Sequence, residues 1–169
     1  MQPSPTAFFA ASLAALCAAG AALGAEPPPL KSGLWEVARA GPQQSDRRQT
    51  TMMCLDESVQ ADMREFGMGV AKDLCTQNQR DFDGNRMTTS AVCRMGQTTI
   101  TSKSVMTFTG NTAYHTEGSA TYDPPMMNMK ETKFAVDAKW IGPCKPGQQP
   151  GDMTLDGGQT INIKSFMKK

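Results

Sequence analysis

The chain has 169 residues, with 17 Lys and Arg against 16 Asp and Glu. A formal charge of +1 at pH 7 leaves no basic footprint, which argues against nucleic acid or an anionic membrane as the main partner. Aromatic residues make up only 7% while methionines number 13, a balance suited to a small core with irregular gaps or to an adaptable apolar surface.

The segment from Phe8 to Leu23 is apolar apart from Ser12 and carries no charge. It is short for a membrane span and right for the apolar region of a signal peptide. Met1 to Thr6 holds no Lys or Arg, so only the terminal amine supplies positive charge there. Cleavage is expected near Gly24 or Ala25. Ala14-Ala15-Leu16 before Cys17 does not make a lipoprotein box, so lipidation is not expected. Residues 1–25 therefore read as a signal peptide, followed by one β domain over 26–144 and a partly irregular extension over 145–169. No transmembrane span is expected in the exported chain.

Glu26 to Leu30 is proline-rich and extended in character. Gly33-Leu34-Trp35-Glu36-Val37 reads as a first strand with Trp35 and Val37 inward, and Gln49 to Leu55 as a second. Between Asp56 and Phe66 the period changes. Asp56 and Ser58 are candidate N-caps, and Val59, Met63 and Phe66 recur at helical spacing. Gly67 and Gly69 are expected to stop this short helix.

From Leu74 to Trp140 the pattern is that of antiparallel strands joined by short turns. Asp83-Gly84-Asn85 and Gly110-Asn111 are tight-turn chemistry, because Gly and Asn tolerate positive φ. Thr98 to Thr109 is a Ser/Thr-rich run with Ile100, Met106 and Phe108 on one face. Asn111 to Tyr122 places Tyr114, Ala120 and Tyr122 opposite His115, Glu117, Ser119 and Thr121. Asp123-Pro124-Pro125 is expected to break the ladder, since proline cannot donate to it. Toward Ile141, Phe134, Val136, Ala138 and Trp140 alternate with charged residues, as in a strand with one dry face. After Cys144 the chain reads as a solvated tail, with Thr160 to Phe166 as a possible last strand.

Of five cysteines, removal of Cys17 with the leader leaves Cys54, Cys75, Cys93 and Cys144. An even set behind a secretory leader implies two disulfides. Cys75 and Cys93 flank Gly84 at similar distances, so a hairpin would bring them opposite each other. Cys54 and Cys144 then form the second pair. A four-cysteine metal site is disfavoured because no CxxC pair exists.

Lys31-Ser32-Gly33-Leu34-Trp35-Glu36-Val37, the cysteine in Thr51 to Leu55, the Cys75…Asp83-Gly84-Asn85…Cys93 hairpin and Trp140-Ile141-Gly142-Pro143-Cys144 occur in that order. The ordered set resembles the bacterial secreted family known as domain of unknown function 3617. That resemblance implies a periplasmic or exported protein of a Gram-negative bacterium. It supplies no activity and no site residues. Gly33-x-Trp35 also resembles the short signature of lipocalin-like barrels, though an ordinary core tryptophan explains the same two residues.

The candidate chemistry is thin. His115, the single histidine, lies on a polar strand face two residues from Glu117. With Pro143-Cys144 it is a fragment of the zinc deaminase pattern, without the second cysteine. No nucleophile elbow, phosphate loop or paired-carboxylate motif occurs. Met126, Met127 and Met129 after Pro124-Pro125 are candidate Cu(I) ligands, since soft sulfur selects that ion. Alternatively they pack or form an adaptable patch. The expected fold is all-β, an antiparallel meander closing into a sandwich or a partly closed lipocalin-like barrel of about seven or eight strands, with one short helix. The expected role is non-enzymatic and needs no cofactor. It is binding of an apolar small molecule in a methionine-lined cavity, or docking of an envelope protein through an exposed methionine-rich edge.

Overall fold

The computed structural model describes residues 26–40 and 49–167. The expected leader at 1–25 lies outside the described residues, as do 41–48 and the last two lysines. The strands are β1 (Gly33–Ala40), β2 (Gln49–Leu55), β3 (Cys75–Asp83), β4 (Arg86–Met95), β5 (Thr98–Thr109), β6 (Ala113–Met126), β7 (Met129–Gly142), β8 (Asp152–Thr154) and β9 (Thr160–Asn162). The helices are α1 (Glu57–Leu74) and α2 (Lys164–Met167).

All nine strands belong to one antiparallel sheet, in the order β3-β4-β5-β6-β7-β1-β2-β8-β9. The all-β meander with its helix is as expected. The strand number and the closure differ. The expected sandwich or partly closed barrel is a single open sheet whose edges, β3 and β9, do not pair with each other. β9 has only three residues against nine in β3, so it offers too short a ladder to close a barrel.

Register sorts side chains onto two faces. The inner face carries Trp35 and Val37 of β1, Met53 and Leu55 of β2, and Ala138 and Trp140 of β7. Its best-buried part is Trp35, Leu55 and Ala138 packed with Val59 of α1. Both tryptophans clasp the chain where it enters β1. Trp35 Nε1 donates to the Lys31 carbonyl at 2.8 Å, and Trp140 Nε1 donates to the Ser32 carbonyl at 3.0 Å. The Lys31 ammonium lies 3.7 Å from the centre of the Trp140 ring, a cation–π contact.

Asp56 caps α1 as expected. Its carboxylate accepts from the Val59 N–H and the Ser58 hydroxyl, both at 2.8 Å. The Val59 bond holds the Asp56 carboxyl below the usual carboxylate range. One turn on, Gln60 fixes the entering chain, accepting from the Leu30 N–H at 2.8 Å and donating to the Leu30 carbonyl at 2.9 Å. The helix then runs past both glycines expected to stop it. Neither Gly67 nor Gly69 has positive φ, so neither ends the helix in the left-handed conformation that glycine stops use. Val70 and Leu74 extend the apolar stripe of Val59, Met63 and Phe66 to the start of β3. The Cys75 N–H still reaches the Ala71 carbonyl.

Residues after Cys144 are part of the sheet rather than a solvated tail. β8 pairs with β2 at Met52↔Thr154 and Met53↔Met153, and β9 returns along β8. The Gly151 N–H donates to the Cys54 carbonyl at 2.8 Å. The expected strand to Phe166 stops at Asn162 and turns into α2, which Lys164 ties to α1 through Asp62 at 3.1 Å and Ser58 at 3.0 Å. The expected break at Asp123-Pro124-Pro125 interrupts only the pairing with β7, whose register shifts between Thr121 and Met126, while β6 itself runs on to Met126 and pairs with β5 as far as Asp123.

Candidate functional site

The site is built by hairpin register on the outer face, opposite α1. Because β4 to β7 pair without interruption through their middles, outward residues line up across the strands. One row runs Ser90, Lys103, Ser119, Lys133. The next runs Thr88, Val105, Glu117, Ala135 and reaches Ala40 at the end of β1. Together these two rows line an open trough of about 890 Å³. That lies within the usual size of small-molecule sites, roughly 300–1,000 Å³.

The trough exists because its central side chains are short. Serine, alanine and valine leave room that the long Lys103, Lys133 and Glu117 do not fill. Between the rows, Gly118 contributes bare backbone. A Cβ on Gly118 would run into Cζ of Phe134, so the phenyl ring occupies the inner side of that glycine. The Phe134 ring thus covers the glycine directly across the ladder from it. No methionine lines the trough, so it is a different site from the methionine-lined cavity expected from the sequence.

Charge is distributed unevenly along it. Lys103 has no ion pair among the described residues. Lys133 approaches Glu131 at 3.8 Å, with both side chains well exposed, a contact that holds little of its charge. Glu117 is engaged on its far side by His115.

His115 sits in the third row, directly opposite Asp137. Its Nδ1 lies 2.6 Å from Oδ1 of Asp137 and its Nε2 lies 3.3 Å from Oε1 of Glu117. The bond to Asp137, and then that to Glu117, push the imidazole pKa up from its ordinary value. A protonated ring donates from both nitrogens and satisfies both carboxylates, whereas a neutral ring can donate to one only. The carboxylates stand at opposite edges of the ring, so the three groups do not converge on one point. Among the described residues no group of three His, Cys, Asp or Glu is placed to hold a metal. Cys144, the other part of the deaminase fragment, is bonded to Cys54 and has no thiolate to offer.

An NMR titration of His115 should give a midpoint above about 6.5, the ordinary histidine value. Asp137→Asn should bring it down. The folded-state pKa is the raised one, so the stabilisation is complete below the unfolded value and fades as pH rises through the folded value. An unchanged midpoint in Asp137→Asn would remove the assignment of this bond as the main cause.

The methionine cluster lies at the turn between β6 and β7. Met127 and Asn128 have φ of 50° and 63° and form a two-residue turn, with Met126 opposite Met129. Met126 and Met129 therefore share one face. Met127 stands at the tip, 85% exposed. The expected disulfides are both present, Cys54 with Cys144 and Cys75 with Cys93. Among the described residues no helix is long and apolar enough to cross a membrane.

Reading residues one at a time misses the trough. Its signal is the spacing Lys103, Ser119, Lys133, which becomes a row only once both hairpin turns are placed.

Comparison with curated proteins gave no match, and comparison with solved structures gave none. Residues 30–144 match the family described as protein of unknown function DUF3617. The matched span covers β1 through β7, both disulfides and the whole trough, and on that match the chain belongs to the DUF3617 family.

Proposed function

We propose that the chain is a non-enzymatic, exported binding module that holds a small apolar ligand in the outer-face trough. The observation that carries this reading is the trough itself, an open, mostly apolar hollow crossing four in-register strands. Rigid strands present its lining, which suits a preformed binding surface. The histidine beside it has both nitrogens engaged by carboxylates, so it presents no free general base. Two disulfides support an oxidising compartment such as the periplasm.

The neutral dye Nile red should bind the oxidised protein with a rise in fluorescence. Ala135→Trp, which fills the hollow from an outward strand position, should abolish the rise while leaving the far-UV circular dichroism unchanged. Equal dye binding by the two proteins would place the ligand elsewhere and end this reading.

A further inference from the structure

We infer that the trough's ligand is an anionic amphiphile, with its apolar chain against Val105, Ala135 and Ala40 and its carboxylate or phosphate head between Lys103 and Lys133. The inference rests on the trough being the binding site and adds the class of molecule that fills it.

Two features of the outer face carry it. The first is the order of groups along one row: hydroxyl, ammonium, hydroxyl, ammonium, from Ser90, Lys103, Ser119 and Lys133. Lys103 and Lys133 are two strand spacings apart, roughly 9.5 Å at their backbones. Ser119 lies between them. Two flexible four-carbon stems can close that distance over a single head group, with the serine hydroxyl as a third donor. An anion there meets two ammonium groups and a hydroxyl, which suit the acceptor oxygens of carboxylate and phosphate, and it displaces the loose 3.8 Å contact of Lys133 with Glu131.

The second feature is how the neighbouring row differs. Val105, Ala135 and Ala40 give no polar side chain, so they fit a hydrocarbon and not a second head. Glu117 is the one anion of the lining. Its carboxylate lies 3.3 Å from Nε2 of His115, which turns its charge toward the third row. Lys103, with no partner among the described residues, stands as an unmatched cation at the mouth of a mostly apolar hollow. A neutral apolar ligand would cover that lysine without meeting its charge. An anionic head meets it.

The test is isothermal titration of the oxidised protein with dodecanoate, dodecyl phosphate, dodecanol and inorganic phosphate, each below its micelle concentration. Dodecanoate and dodecyl phosphate should bind at least roughly tenfold tighter than dodecanol, the gain expected of two part-exposed ion contacts. Inorganic phosphate alone should not bind measurably. In Lys103→Gln/Lys133→Gln the advantage of the acids should vanish while dodecanol binding stays the same. Added salt should narrow the gap in the unaltered protein.

Dodecanol binding as tightly as dodecanoate would overturn the anionic head and leave the trough reading standing. Inorganic phosphate binding as tightly as dodecyl phosphate would overturn the amphiphile in favour of a free anion. If no amphiphile bound, the inference and the reading beneath it would fall together.

Discussion

Gly33→Ala should destabilise the domain by about 3 kcal/mol or more in urea denaturation. Gly33 has φ of +140°, where an L side chain is strained, and there is no room for one. A Cβ would run into the Gly142 carbonyl oxygen and into Nε1 of Trp140. The first obstacle is backbone and cannot rotate away. The second is the indole nitrogen that donates to the Ser32 carbonyl, so moving it breaks a bond that anchors the entering chain. Strain and crowding act at one position and add. Gly67→Ala is the control. Gly67 is helical, and an added Cβ meets nothing within 4 Å, so alanine there should raise stability by about 0.5–1 kcal/mol. If the two substitutions shifted the midpoint alike, the packing of Trp140 against the start of β1 would be wrong.

Local signals in the sequence translated well where one element decides its own shape. Phe134, Val136, Ala138 and Trp140 share a face because strand geometry alternates side chains whatever the neighbours do. Asp56 caps α1 because the cap is settled within four residues. Cys75 faces Cys93 because a two-residue turn at Gly84 and Asn85 fixes the register of its hairpin. Signals that depend on competition mislead. Gly67 and Gly69 suggest an end to α1, yet neither takes the left-handed conformation, and the Cys75 N–H still bonds the Ala71 carbonyl beyond them. Met126 to Met129 holds no glycine to mark a turn, yet Met127 and Asn128 take positive φ and start β7. β8 and β9 have three residues each, too few for alternation to show. The trough was least legible, because its rows are made by lateral register across four strands.

Removing the Cys54–Cys144 bridge should lower stability by about 4 kcal/mol, and removing Cys75–Cys93 by about 3 kcal/mol. The sequence separations are 90 and 18 residues, and the longer loop restricts the unfolded chain more. Further differences should widen the gap. Cys54 is buried, so Cys54→Ala also thins the core beside Leu55. Cys75 and Cys93 sit on strands already joined by a turn and a ladder, so their bridge adds less that is new. Urea denaturation of Cys54→Ala/Cys144→Ala should also show a steeper transition, because the released chain exposes more surface on unfolding. The loop it closes, residues 54–144, contains every strand of the trough except β1. Reduction of the protein should therefore weaken Nile red binding as stability falls. Unchanged stability and dye binding after full reduction would mean that the ladder alone holds the sheet, and would take away the structural support for an oxidising compartment.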